Sequence, residues 1–300
     1  MIGIKKSLTS LTSLTSLTSL TSLKPLKPLR LFDVTLRDGL QSVSKIYSLN
    51  EKIKILNNIL FQQPHAIEIG SIVSPKILPQ MNNSIELYKY ADSYNSFINT
   101  SINKPTDFYM LTPNFKSLEI SCIHNIKNLS FITSVSDSFQ RKNINKTLVE
   151  TKNELRRMIE NVTDTPDKKI KLYISCINKC PIQGNMNHNK IVDEILYYYY
   201  MYESLDEICL SDTCGSLQFV DFRSIIIQLE KRSINLEKFS LHLHNQQNQQ
   251  NVKDIVTYAI KKGIYRFDVS NMPKLGGCSV TMDNTSGNLS YDQIYDCSKV

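Results

Sequence analysis

From residue 31 onward, short β-branched and apolar runs alternate with longer stretches of helical periodicity, and the alternation repeats eight times. Strands are expected at 31–34, 66–70, 107–111, 129–133, 170–175, 206–210, 239–244 and 265–269, with helices beginning near 49, 83, 115, 147, 188, 219, 248 and 290. Eight successive βα units predict a closed parallel sheet ringed by helices, an α/β fold of the (β/α)8 TIM-barrel type. An open doubly wound sheet is the alternative. It normally carries a glycine-rich phosphate turn after its first strand, whereas that turn here reads Thr35-Leu36-Arg37-Asp38-Gly39. A chain of 300 residues, 41% hydrophobic, is long enough to bury one such core.

The segment before the barrel has a different character. Residues 7–23 repeat Ser-Leu-Thr, with Leu at 8, 11, 14, 17, 20 and 23. On a helix a period of three drifts around the axis and leaves no apolar stripe. We therefore expect a disordered low-complexity segment over 1–30, closed by a Lys-Pro linker, ahead of a barrel domain at 31–300. The segment is also Ser-rich, basic and free of acids, which is the composition of an organellar transit peptide. A cytoplasmic location is the expectation, with a mitochondrial one as the alternative. No run of about 18 apolar residues is present, so no transmembrane helix and no membrane partner are expected. The formal charge is +7, of which Lys5, Lys6, Lys24, Lys27 and Arg30 supply five, leaving +2 for the body. A near-neutral body gives little reason to expect a basic face for nucleic acid, so no nucleic-acid partner is expected. Seven cysteines, an odd number, with no secretory signal read as free thiols.

Three local signals carry chemistry. Leu241-His242-Leu243-His244-Asn245 puts two imidazoles on one face of a strand, where they can share a cation or be structural. Arg37-Asp38-Gly39 follows the first strand, on the face where βα loops build barrel active sites, and reads either as a site or as a local salt bridge. Gly276-Gly277-Cys278 and Ser286-Gly287-Asn288 follow the last strand, as a mobile loop with a reactive thiol or with a small buried cysteine. The first, seventh and eighth strands are neighbours in a closed barrel. Asp38, His242, His244 and Asn288 are therefore expected to point into one mouth. Two nitrogens, a carboxylate and an amide oxygen suit Mg2+ or Mn2+, and the lack of a thiolate cage argues against zinc.

At these residues the chain resembles the 3-hydroxy-3-methylglutaryl-CoA lyase family, within the pyruvate carboxyltransferase-like DRE-TIM metallolyases. The likeness runs from Phe32-Asp33-Val34-Thr35-Leu36-Arg37-Asp38-Gly39-Leu40-Gln41 through Glu68, Ser74-Pro75-Lys76, Pro79-Gln80-Met81 and Leu111-Thr112-Pro113-Asn114. It continues through Lys142-Asn143-Ile144-Asn145, Ser175-Cys176, Cys180-Pro181, Ser211-Asp212-Thr213, the two histidines, Leu275-Gly276-Gly277-Cys278 and Ser286-Gly287-Asn288-Leu289. The resemblance implies metal-dependent cleavage of 3-hydroxy-3-methylglutaryl-CoA to acetyl-CoA and acetoacetate. It implies a divalent cation on Asp38, His242, His244 and Asn288, and Arg37 stabilising the enolate. Asp212 is implied to remove the C3-hydroxyl proton, with Glu68 as a supporting acid and Cys278 transferring a proton at the acetyl-CoA end. Arg37 and Gln41 are implied substrate contacts, an acyl-CoA is the implied partner, and a homodimer is left open.

The departures are specific. The family usually reads His-x-His-Asp-Thr-Tyr, where this chain has His244-Asn245-Gln246-Gln247. The gap between Cys278 and Gly287 is one residue longer than in the family. A lysine expected after the Asp-Gly-Leu-Gln run falls on Ser44, beside Lys45. The chain stops at Val300, soon after the eighth helix begins, which predicts a C-terminally shortened barrel with an exposed flank. Cys176 and Cys180 are expected to pack near the site. Two alternative functions remain: a Claisen-condensing synthase of the homocitrate or isopropylmalate kind, and an impaired barrel with a binding role.

Overall fold

The computed structural model describes residues 27–98, 106–163, 168–273, 275–277 and 287–299. Residues 1–26, Cys278 and Ser286 lie outside the described residues, and with them most of the expected low-complexity segment and the expected loop thiol. Ten strands are formed among the described residues. They are β1 (Arg30–Asp33), β2 (Ala66–Ser71), β3 (Asp107–Leu111), β4 (Asn128–Ser134), β5 (Ile170–Ser175), β6 (Lys179–Cys180), β7 (Gly184–Asn185), β8 (Glu207–Ser211), β9 (Phe239–His242) and β10 (Arg266–Val269). Eight of them close a barrel in the order β1-β10-β9-β8-β5-β4-β3-β2. Every barrel pair is parallel, and β1 seals the ring by pairing with both β10 and β2. The antiparallel β6–β7 hairpin lies outside the ring. The barrel expected from the alternation is the barrel found.

The strands read as near-continuous apolar runs because both faces are covered, by the barrel interior on one side and helices on the other. All six residues of β2 and all six of β5 are buried. The helices are α1 (Leu49–Phe61), α2 (Ser84–Ile98), α3 (Phe115–Ile123), α4 (Asp137–Ile144), α5 (Leu148–Thr163), α6 (His188–Met201), α7 (Phe219–Glu230), α8 (Gln249–Lys261) and α9 (Tyr291–Ser298). Their starts are set by side chains that satisfy orphan backbone N–H groups. Ser48 with Glu51, Asn114 with Ser117 and Ser290 with Gln293 form reciprocal caps. On α8 the buried stripe is Val252, Ile255, Val256, Ala259 and Ile260, the helical spacing of a face laid on the sheet. The eighth unit keeps its helix: α9 buries Tyr291, Ile294 and Cys297 and packs on α8 and β10, so the flank expected to be bare is covered over this stretch. No helix among the described residues is long and apolar enough to cross a membrane.

Two local features shape the mouth. After β1 the chain makes one π-helical turn, Thr35–Gly39, in which Val34 O accepts from Gly39 N at 3.1 Å. A π-turn widens the backbone ring, and such turns recur at functional sites. This one buries all five of its residues and delivers Arg37 and Asp38 to the end of the barrel. The seventh barrel strand ends at His242, two residues before the expected limit. His244 instead forms an isolated antiparallel bridge with Asn288.

Candidate metal centre

Asp38, His242 and His244 form the one group of acidic, imidazole or thiol ligands suited to a metal ion among the described residues. One donor atom from each lies within 4.8 Å of the others, and all three residues are buried. His242 Nε2 is 3.9 Å from Asp38 Oδ2, and the two imidazole rings meet edge-on with centroids 5.0 Å apart. Asn288 joins them through backbone pairing: it bridges His244, its N–H donates to Leu275 O at 3.1 Å, and its side-chain Nδ2 donates to Asp38 Oδ2 at 3.0 Å. Asn288 Oδ1 is buried and takes no hydrogen bond from any described residue. A buried acceptor left empty costs about 1–3 kcal/mol. An orphaned amide oxygen beside a carboxylate and two imidazoles is the donor set of a divalent cation, so the residues present fit one.

Asp38 is held from several sides. Its Oδ1 accepts from Arg37 Nη1 at 2.7 Å and from Gln41 Nε2 at 3.1 Å, and its Oδ2 accepts from Gly277 N at 2.9 Å. Gln41 Nε2 also reaches Gly277 O at 3.0 Å, so the expected substrate contact braces the glycine loop against Asp38. Arg37 Nε donates to Glu68 Oε2 at 2.5 Å, the oxygen that also accepts from Tyr173 Oη at 3.2 Å. Burial by itself pushes the Asp38 carboxyl up, but Arg37, His242, His244 and the Gly277 N–H outweigh it and hold the group well below the usual range. Burial opposes the charge on Arg37, and the Glu68 and Asp38 carboxylates restore it. The centre thus keeps an ionised carboxylate and an ionised guanidinium in a water-poor site.

A cleft of about 50 Å³ opens onto this group, lined by Arg37, Asp38, Tyr173, Thr213, His242 and His244, with Phe139 and Asn143 of α4 on its rim. A larger hollow of about 1160 Å³ lies at the opposite end, around Arg30, His65 and Arg266. That is the N-terminal face of the strands. Barrel chemistry sits at the C-terminal face, so the small cleft is the candidate site.

Of the expected site residues, Arg37, Asp38, Gln41, Glu68, His242, His244 and Asn288 come together. Asp212 stands slightly apart: its carboxylate accepts from Ser216 N at 3.0 Å, Leu217 N at 2.9 Å and Gln246 Nε2 at 3.4 Å, and it does not line the cleft. Burial raises its carboxyl, and these donors offset only part of the rise. Cys176 and Cys180 are buried; Cys176 N donates to Oγ1 of the cleft residue Thr213 at 2.8 Å, and Cys180 Sγ accepts from Ser136 Oγ at 3.1 Å. Lys45 pairs with Glu51 at 2.7 Å on the surface. Asn245 takes up the family departure through its own geometry. Its Nδ2 donates to Asn288 O at 3.0 Å and its Oδ1 accepts from Gln293 Nε2 at 2.5 Å, tying the stretch after β9 to Asn288 and to α9.

Four residues of the surroundings were missed from sequence: Tyr173, Lys171, Glu207 and Asp268. Asp268 Oδ2 lies 3.1 Å from His242 Nδ1, and its Oδ1 accepts from Lys171 Nζ at 2.5 Å. The available signal was a charged residue inside an apolar strand, as in Ile170-Lys171-Leu172 and Phe267-Asp268-Val269.

Fold and side chains together define a (β/α)8-barrel enzyme with a candidate divalent-cation centre at its mouth. The chain belongs to the HMGL-like family, which matches it over residues 28–272. Within that family it is a carbon–carbon lyase of the hydroxymethylglutaryl-CoA lyase-like kind. It is 28% identical to human mitochondrial hydroxymethylglutaryl-CoA lyase over 268 residues, 88% of this chain and 76% of that protein. It is 26% identical to the 3-hydroxy-3-isohexenylglutaryl-CoA/hydroxy-methylglutaryl-CoA lyase of Pseudomonas aeruginosa, over 89% of this chain and 83% of that one. The solved hydroxymethylglutaryl-CoA lyase of P. aeruginosa superposes with a TM-score of 0.75 at 25% identity, covering 90% of this chain and 84% of that one. The Acinetobacter baumannii HMG-CoA lyase, solved with coenzyme A and 3-methylmalate, shares the fold at a TM-score of 0.75 and 24% identity, over 90% and 82% of the two chains.

Proposed function

We propose that the protein cleaves 3-hydroxy-3-methylglutaryl-CoA to acetyl-CoA and acetoacetate, with Mg2+ or Mn2+ held by Asp38, His242, His244 and Asn288. The observation that carries this reading is the buried trio of Asp38, His242 and His244 beside the unsatisfied Asn288 Oδ1. The names of the relatives supply the substrate class, an acyl-CoA. When bound, the cation supplies Lewis-acid polarisation of the substrate's C3 oxygen and carboxylate.

The chain's own groups supply the rest. Loss of the C3-hydroxyl proton turns the C3–O electrons into the ketone of acetoacetate as the C2–C3 bond breaks. The electrons of that bond pass to the thioester as an enolate. Arg37 lines the cleft and keeps its charge, so it stabilises the developing oxyanion. Glu68 and Asp38 fix the guanidinium in place beforehand. Protonation of C2 then gives acetyl-CoA, the step the resemblance assigns to Cys278. Asp212, with its raised carboxyl, suits a base for the C3 hydroxyl, and its release from the Ser216 and Leu217 amides is the condition of that role.

The test is turnover by metal-stripped protein to which Mn2+ or Mg2+ is returned. Equal amounts of acetyl-CoA and acetoacetate are expected from 3-hydroxy-3-methylglutaryl-CoA, and no product from His244→Ala. Condensation of acetyl-CoA with a 2-oxo acid, without cleavage, contradicts the reading and indicates a synthase. Tight Mn2+ binding with no turnover of either kind indicates a binding barrel.

A further inference from the structure

Beneath the cluster, the barrel interior holds a second layer of charge that the lyase reading does not use. Lys171 of β5 is fully buried, yet its Nζ lies 2.5 Å from Asp268 Oδ1 and 2.9 Å from Glu207 Oε1. The ammonium also sits 3.6 Å from the centre of the Phe32 ring. Glu207 is matched in turn by Arg266 at 3.1 Å. Two acids and two bases therefore close a compensated group across β5, β8 and β10. Two contacts lead from this group to the cleft: Lys171 Nζ lies 4.8 Å from the centre of the Tyr173 ring, and Asp268 Oδ2 faces His242 Nδ1 at 3.1 Å.

We propose that Asp268, oriented by Lys171, is a positioning residue for the metal centre, which it serves by fixing the tautomer of His242. The inference rests on the cation reading above. A carboxylate oxygen can only accept, so Nδ1 donates its N–H to Asp268. In the neutral ring the lone pair is then on Nε2, the nitrogen facing Asp38 at 3.9 Å. A metal-ligating histidine needs this arrangement, and carboxylate partners of this type govern both ring orientation and ligand strength. Lys171 occupies the other carboxylate oxygen, which stops Asp268 from turning away from the ring. Asp268 touches neither substrate nor cation; it acts only through His242.

The experiment reads the tautomer directly, by 15N imidazole shifts of His242 in metal-free protein, and Mn2+ affinity by titration calorimetry. Wild type is expected to show Nδ1 protonated and Nε2 bare. In Asp268→Asn the amide oxygen stays on Lys171 and the NH2 group faces Nδ1, so the proton moves to Nε2 and Mn2+ affinity falls about 10–100-fold. Lys171→Arg, which keeps a donor on Oδ1, is expected to hold the wild-type tautomer and an affinity within about threefold. Should Asp268→Asn not fold, Asp268→Ala serves in its place, and its ring is expected to populate both tautomers. An unchanged tautomer, or unchanged Mn2+ affinity in a folded Asp268 variant, overturns the proposal while leaving the cation reading intact. Wild type that binds no Mn2+ overturns both.

Discussion

His244 and Asn288 face each other across a single antiparallel bridge, an isolated backbone pairing that ties the stretch just after β9 to the stretch just before α9. The second imidazole and the amide are therefore fixed to each other by main chain, before any cation arrives. Gly276 closes the arrangement from the other side. A Cβ built on it would lie 2.6 Å from Asn288 Cγ, and its φ of +144° is one that other residues rarely adopt. Gly276→Ala is expected to displace Asn288 and cut Mn2+ affinity more than tenfold, with the barrel's melting temperature nearly unchanged. Calorimetric titration with Mn2+ beside a thermal melt checks both halves of the statement.

Arg37 serves two carboxylates with one planar fork, at 2.5 Å to Glu68 and 2.7 Å to Asp38. Lysine carries the charge without the fork. Arg37→Lys is expected to lower kcat for 3-hydroxy-3-methylglutaryl-CoA cleavage by about 100-fold, the scale of losing one preorganised oxyanion donor. Arg37→Met leaves both buried acids without their shared guanidinium countercharge and is expected to cost about 3–5 kcal/mol of stability in urea titration.

Asp33, at the end of β1, is fully buried, and burial pushes its carboxyl up to about 6 against the hydrogen bonds from Thr35 and Tyr291. The folded state thus holds this proton to higher pH than the unfolded chain does. Through this group, stability is greatest below pH about 4 and declines as pH rises to about 6, by about 3 kcal/mol in all. Asp33→Asn keeps an acceptor for Thr35 N and removes the decline. Unfolding free energies measured from pH 4.5 to 8 should show the variant overtaking wild type as pH rises, with the gap constant above about pH 7.

Much of this was legible in the sequence because it is periodic. The eight barrel strands fall within a residue or two of the runs of apolar residues, since parallel strands covered on both sides must be apolar throughout. Helix starts were legible where a capping side chain precedes the first turn, as at Ser48, Asn114 and Ser290. His242 and His244 were legible as a pair because their spacing is local. The π-turn at Thr35–Gly39 was not, because no side-chain pattern marks an i+5 backbone ring. Helix α4, which brings Phe139 and Asn143 to the cleft, is eight residues long and too short for its periodicity to stand out. The Lys171–Asp268–His242 chain joins three strands, and only the closed barrel brings them face to face.

Metal removal gives a separate readout on stability. A cation that binds only the folded barrel adds about 2.7 kcal/mol when present at 100 times its Kd. Chelation of the purified protein is expected to lower its melting temperature and abolish cleavage together, and Mn2+ or Mg2+ to restore both. Ca2+, larger and less demanding in geometry, is expected to restore less of the activity than of the melting temperature.

The central claim is that four side chains from three segments, the π-turn after β1, the end of β9 and the stretch before α9, converge on one divalent ion. Anomalous scattering from Mn2+-loaded crystals tests it most directly. The account predicts a single strong peak per chain between Asp38, His242, His244 and Asn288, with Asn288 Oδ1 turned toward it. A peak elsewhere, or none at this cluster at saturating Mn2+, would contradict it.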